Sequence, residues 1–184
     1  MTGVQTCALP ISLPPGLSVF TCSEAALKRS AKVGTRGYYF DFNEFQKNAE
    51  KNMTPSTPSI PHINGLSHKL DEFFAEGLKA RYARHRTTNQ MTRDWAAKHG
   101  FTLFPEAGYE SISLTCLNNG AREGGIVMDI PRLQNAMKEK GILIDGGYGK
   151  LKGKAFRLSN MGDETAETMT DLFTKLDASM EELS

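Results

Sequence analysis

The stretch Gly141-Ile142-Leu143-Ile144-Asp145-Gly146-Gly147-Tyr148-Gly149-Lys150-Leu151-Lys152-Gly153-Lys154-Ala155-Phe156-Arg157-Leu158-Ser159-Asn160-Met161-Gly162-Asp163 decides the fold. Its aliphatic run at 142–144, bounded by glycines, predicts a strand, and a glycine- and lysine-rich loop at 146–154 feeds a second strand over Ala155–Ser159. Asp163 is placed to cap a closing helix whose buried face carries Ala166, Met169, Leu172, Phe173, Leu176 and Met180. In the second strand Phe156 and Leu158 fall on one face and Arg157 on the other. An arginine on the inner side of such a strand suits bidentate binding of a carboxylate, while spacing alone favours a solvent-facing one.

Upstream, Asp129 caps a short helix with Pro131 in its first turn, Leu133, Ala136 and Met137 inward, and Gly141 past its end. Before that, Ile112, Leu114 and Cys116 alternate with Ser111, Ser113 and Thr115, which predicts a strand buried through its apolar members and ended by Asn118-Asn119-Gly120. A helical stripe of Leu66, Leu70, Phe73, Phe74 and Leu78 starts at Ile63 and continues through Tyr82 and Trp95 to Lys98, with a bend at Gly77 and a stop at His99-Gly100. From about residue 76, helix, strand, helix, strand, strand, helix describes a two-layer α+β domain. N-terminal to it lie the turn Leu13-Pro14-Pro15-Gly16, a buried strand Ser18–Cys22, and a helix capped by Ser23 and running to about Ala31. The aromatic run Tyr38-Tyr39-Phe40-Asp41-Phe42 leads into a second helix to about Lys51. Prolines 55, 58 and 61 then impose an extended connection.

The 184 residues carry 22 basic and 21 acidic side chains, a balance that excludes a basic nucleic-acid binder or a disordered acidic tail. No apolar run approaches the roughly 20 residues of a membrane span. Three cysteines without a close pair argue against a disulfide scaffold and for a reducing, cytoplasmic setting. Residues 1–12, MTGVQTCALPIS, have no charge and no signal-peptide architecture, and resemble a translated sequencing adapter. With them set aside, Cys22 and Cys116 read as small core residues.

Specific chemical motifs are few. The 146–154 loop lacks the glycine of a P-loop at Tyr148 and its Ser/Thr at Ala155, and it opens a strand where a dinucleotide loop opens a helix. The histidines at 62, 68, 85 and 99 form no metal-ligand set. The basic cluster Lys79, Arg81, Arg84, His85 and Arg86 reads as a solvated helix face.

Taken in order, Pro14-Pro15-Gly16-Leu17, the TPSTPSI run at 54–60, GLKARYARHR at 77–86 and the 141–163 stretch resemble the second half of a class V aminotransferase. The nearest branch is that of the alanine–glyoxylate, serine–glyoxylate and serine–pyruvate aminotransferases, and the resemblance covers residues 13–184. It implies a fragment of the α/β fold-type I architecture of pyridoxal-phosphate enzymes. Residues 13–75 would be the trailing strand and helices of the large cofactor-binding domain, and 76–184 the small C-terminal α+β domain. It also implies pyridoxal 5'-phosphate, amino acid and 2-oxo acid substrates, and a homodimer, with no nucleic-acid or membrane partner. In the family the arginine of the F-R-[IL]-x-x-M-G motif binds the substrate α-carboxylate, which falls on Arg157. The threonine before the middle proline of the TPxTP run contacts the cofactor phosphate of the partner subunit, which falls on Thr57. Thr54 matches a second phosphate-contacting position, where some relatives have tyrosine.

One departure bears on activity. The family's Schiff-base lysine precedes the first proline of the PPG turn by five residues, and that position is Leu9. Lys28 and Lys32 lie on the wrong side of the motif. The resemblance therefore implies that this chain does not by itself catalyse transamination. A cysteine desulfurase is disfavoured by the strand position of Cys116. A phosphoserine aminotransferase is an alternative because the loop lysines could meet a substrate phosphate, and a free-standing, non-enzymatic α+β binding module is the second.

Overall fold

A computed structural model describes residues 4–8, 13, 14, 16–120 and 127–183. The chain divides into two compact units, Met1–Ala75 and Glu76–Ser184. Among the described residues, no helix is long and apolar enough to cross a membrane.

In the first unit, strand β1 (Val4–Ala8) pairs antiparallel with β2 (Ser18–Cys22), Val4 opposite Cys22 and Ala8 opposite Ser18. The segment read as foreign thus satisfies backbone groups of β2 that would otherwise lack partners. β2 forms where its β-prone residues predict it, but it is not the buried strand expected: Val19 is 44% exposed. Helix α1 (Glu24–Ala31) starts at its predicted cap, where Ser23 Oγ accepts from the Ala26 amide at 3.3 Å. Helix α2 (Phe42–Ala49) is capped by Asp41, which accepts from the Asn43 amide at 3.0 Å and from Arg36 Nε at 2.8 Å. Phe20 of β2 packs edge-on to Phe45 and tilted against Phe42, with ring centroids 5.2 and 5.7 Å apart. That aromatic contact ties strand to helix.

The long helix expected from Ile63 starts three residues earlier and is broken. Helix α3 (Ile60–Glu76) takes Pro61 into its first turn, where no amide donor is required. Gly77 has φ 81, a left-handed conformation that cannot continue a right-handed helix, so helix α4 (Leu78–Lys98) is a separate element.

The second unit sets α4, α5 (Ile130–Glu139) and α6 (Ala166–Glu182) with a three-stranded antiparallel sheet ordered β3 (Leu114–Asn118), β5 (Ala155–Ser159), β4 (Asp145–Gly146). Leu117, Leu133, Met137, Phe156, Leu158, Met169 and Leu176 form its core, at most 2% exposed each. Trp95 stacks between Phe101 and Phe173, with centroids 5.8 and 5.6 Å away. Burial of this set is the main favourable term for the unit.

Three local expectations are corrected. The first concerns β3, which starts at Leu114 and buries the opposite face from the one predicted. Thr115 and Leu117 are 4% and 0% exposed, Leu114 and Cys116 are half-buried, and Ile112 lies outside the strand. The cause is polar. Thr115 Oγ1 accepts from Asn89 Nδ2 at 3.0 Å, within a buried cluster of Asn89, Thr88, Thr115 and Asn160. A threonine with a partner can occupy the core, and strand parity then turns Cys116 outward.

Second, residues 142–144 make no ladder. The Gly141 and Ile142 amides close the end of α5 by donating to Lys138 O (3.0 Å) and Met137 O (2.9 Å), and Ile144 O accepts from Gln134 Nε2 at 3.1 Å. Pairing begins only at Asp145, opposite Arg157. Third, Thr165 caps α6 in place of Asp163. Its side chain accepts from the Thr168 amide while Thr168 Oγ1 accepts from the Thr165 amide, a capping box. Ala166 is consequently in the exposed first turn.

Candidate carboxylate-binding site

β5 is the central strand. Phe156 and Leu158 enter the core, so Arg157 projects from the other face, flanked by Cys116 on β3 and Asp145 on β4 as its register partners. Its side chain is 25% exposed. One η nitrogen donates to Asp145 Oδ2, and the guanidinium lies 4.5 Å from the Tyr148 ring centroid. Arg157 Nε is buried and has no hydrogen-bond partner among the described residues. The solvent-facing arginine that spacing favours is therefore not what the fold makes of it.

A cavity of about 480 Å³ opens beside this guanidinium, lined among others by Leu114, Ile142, Ile144, Leu158, Met161 and Leu172. Its origin is the short β4. Beyond Asp145 the partner strand departs toward α5, and the edge of β5 at Leu158–Ser159 is left facing open space. Asp145, Glu164 and Asp171 also border it, with Arg157 as the one cation among the lining residues, and a largely aliphatic cavity of this size is the form of a small-molecule site.

The far wall is held by residues that sequence reasoning treated as solvated. Arg81 and Arg84 have side chains only 12% and 22% exposed. Both bind Glu76, at 2.9 and 2.7 Å, and both donate to Gly162 O at 3.2 Å. Arg84 also donates to Glu164 O at 2.6 Å, so the clamp fixes the 161–164 segment that borders the cavity. The Arg84 hydrogen bond, with Arg81 behind it, outweighs burial and holds the Glu76 carboxyl down to about 2. The spacing of Arg81 and Arg84 with Glu76 at the helix break was the available signal, and only the fold supplies the carbonyls.

Cys116 faces the same side as Arg157. Burial pushes its thiol up, with the Arg157 charge opposing, so it is not an activated thiolate. Lys150, Lys152 and Lys154 are exposed on the turn between β4 and β5. A second cavity, of about 520 Å³, borders His99 and Asp177, but Asp177 Oδ1 already accepts from Trp95 Nε1 at 2.7 Å.

Thr54 and Thr57 lie in the first unit, in the extended segment before α3, which Tyr38 pins by donating to Pro55 O at 2.9 Å. Thr54 Oγ1 donates to Ser56 O at 2.6 Å, whereas Thr57 is exposed and its hydroxyl makes no hydrogen bond among the described residues. Leu9 lies outside the described residues. Pyridoxal phosphate needs an amine for its covalent link, an acid for its ring nitrogen and donors for its phosphate. The described residues of this segment offer the phosphate the exposed hydroxyls of Ser56 and Thr57, and Lys28 is a solvated residue near Glu24. The described residues of this segment alone do not supply that set.

No protein-family model matches the chain. Curated relatives do. An uncharacterized aminotransferase of Methanocaldococcus jannaschii is 32% identical over 165 residues, covering 88% of this chain and 41% of the relative. A serine–glyoxylate aminotransferase of Methylorubrum extorquens is 27% identical over 161 residues, covering 83% of this chain and 39% of its own length. The chain thus spans about 40% of the length of the curated relatives it matches. Among solved structures, an alanine–glyoxylate aminotransferase from Nostoc sp. superposes with a TM-score of 0.83 at 24% identity, over 97% of this chain and 48% of that one, a likeness of fold. With the 141–163 stretch, these matches carry one conclusion: the chain resembles class V aminotransferases, over about 40% of the length of each curated relative.

Proposed function

We propose that the whole protein moves an amino group from alanine or serine to glyoxylate or pyruvate, and that Arg157 holds the carboxylate common to donor and acceptor. The observation that carries this is the buried Arg157 Nε, without a hydrogen-bond partner among the described residues, in a residue that lines that cavity. A buried donor without an acceptor costs free energy that a ligand oxygen would recover. A carboxylate bound there would be oriented by two parallel N–H groups, beside the aliphatic side chains Leu114, Ile142 and Ile144. Donor and acceptor share the carboxylate and differ beyond it, so one arginine serves both half-reactions.

Within this reading, residues 13–75 belong to the domain that carries pyridoxal phosphate and residues 76–184 form the small domain. The whole protein acts as a cytoplasmic homodimer, and the exposed hydroxyl of Thr57, with Thr54 beside it, reaches the cofactor phosphate of the partner subunit. The chemistry of the cofactor would need the amine that this chain does not supply at position 9. Steady-state kinetics of the whole protein test the assignment. Arg157→Ala should raise KM for donor and acceptor alike, with a loss of about 2–4 kcal/mol in transition-state stabilisation. Unchanged KM values for both would remove Arg157 from the role.

A further inference from the structure

We infer that Asp145 is an internal competitor for this site: it occupies Arg157 when no ligand is bound and so sets how tightly the site takes a small 2-oxo or amino acid. The inference rests on the reading of Arg157 as the carboxylate binder. Asp145 is the strand partner of Arg157 and the last residue pair of the β4–β5 ladder, so backbone register delivers its carboxylate to the guanidinium. Its side chain is 47% exposed, with solvent into which it can turn.

The pair is incomplete on the arginine side. A guanidinium and a carboxylate pair best through two parallel hydrogen bonds, yet Asp145 takes one η nitrogen and Nε stays covered and unmet. Tyr148, three residues further along the same hairpin, lays its ring over the guanidinium while remaining 71% exposed. Gly147 fits this hairpin tightly, since a Cβ there would lie 2.1 Å from Leu151 O. One short hairpin therefore brings both an anion to the edge and an aromatic to the face of Arg157. An incoming carboxylate with two free oxygens can satisfy Nε and the η nitrogen together, which Asp145 does not do from its strand position. Binding is an exchange of one carboxylate for another, and affinity is reduced by the fraction of molecules in which Asp145 holds the site.

Heteronuclear NMR of the full 184-residue chain tests this without any cofactor or turnover. Pyruvate is titrated while the Arg157 Nε–H resonance is followed. Asp145→Asn should tighten pyruvate binding about fivefold, the closure expected of a half-exposed ion pair. Asp145→Ser should do the same, which guards against a folding fault in one variant, and Asp145→Glu should leave the competition in place. Arg157→Gln should abolish saturable binding. If both Asp145 variants bind no more tightly than wild type while Arg157→Gln still abolishes binding, the competitor role is overturned and the Arg157 reading stands. If Arg157→Gln binds as wild type does, the Arg157 reading itself fails. Absence of binding in wild type and in both Asp145 variants overturns both, because removing the competitor should by itself open the site.

Discussion

Replacing Asn160 separates a polar core that holds the second unit together from one that merely fills space. Asn160 is 1% exposed, and its Nδ2 donates to His85 O, Thr88 Oγ1 and Ile112 O at 2.9, 3.0 and 3.1 Å. Its Oδ1 accepts from Asn89 Nδ2 at 3.4 Å, and that amide in turn serves Thr115. Two N–H groups facing three acceptors amount to about two net hydrogen bonds, each worth about 1 kcal/mol. Asn160→Ala also leaves Ile112 O without this buried donor and a small void beside it, so a total loss of about 3 kcal/mol is expected. Asn160→Asp keeps the shape but turns a carboxylate toward three acceptor atoms, and should cost about 1–2 kcal/mol more at neutral pH. Its carboxyl pKa would be raised by burial, so protonation restores a donor and the penalty shrinks as pH falls. Urea unfolding followed by the fluorescence of Trp95, the only tryptophan and a core residue of this unit, measures both. A loss below about 1 kcal/mol for the alanine variant, or an aspartate tolerated better than alanine, would refute the reasoning.

Two further perturbations act on the Glu76 clamp and on the turn between β4 and β5. Because the Glu76 carboxyl is held at about 2 against an ordinary 4.5, its contribution is complete above pH 4.5 and is lost as pH falls toward 2. Glu76→Gln should therefore cost about 1–2 kcal/mol at neutral pH and flatten the acid arm of the stability–pH curve, and an unchanged acid arm in urea titrations counts against the clamp. Gly147→Ala places a methyl 2.1 Å from Leu151 O, a backbone atom, so the turn must open. The expected cost is about 2 kcal/mol, with displaced Tyr148 ring resonances in the NMR spectrum. Wild-type stability with unmoved Tyr148 signals would show that the turn relaxes freely.

Most element types were legible in the sequence because short-range chemistry specifies them. Ser23 and Asp129 each accept from an amide in the first turn of the helix they precede, and Gly141 has φ 79 past the end of α5. Capping needs only a side chain and its own backbone neighbours, so residue type and spacing suffice. Before α6 the residue pattern pointed to Asp163, and the cap lies elsewhere. Thr165 prevailed over Asp163 because Thr168 returns the hydrogen bond, while Asp163 lies 3.7 Å from Arg81.

What was not legible depends on partners remote in the chain, and it is also what makes the site. Apolar alternation predicted that Leu114 and Cys116 would be buried, which would have sent Thr115 outward. Asn89, 26 residues earlier, gives Thr115 a buried partner and reverses the parity. A reversal of one strand changes which of its side chains join each face of the sheet. With Thr115 and Leu117 inward, Leu114 and Cys116 share the outer face with Arg157, and Leu114 becomes a wall of its cavity. The second misreading acts the same way. Had residues 142–144 paired as the strand their composition suggests, they would have lain along Leu158–Ser159 and closed the space in which a ligand would sit. Gln134 and the end of α5 hold them off. The cavity beside Arg157 thus exists because two segments disobey their local hydrophobic pattern, each for a hydrogen bond that pattern does not encode.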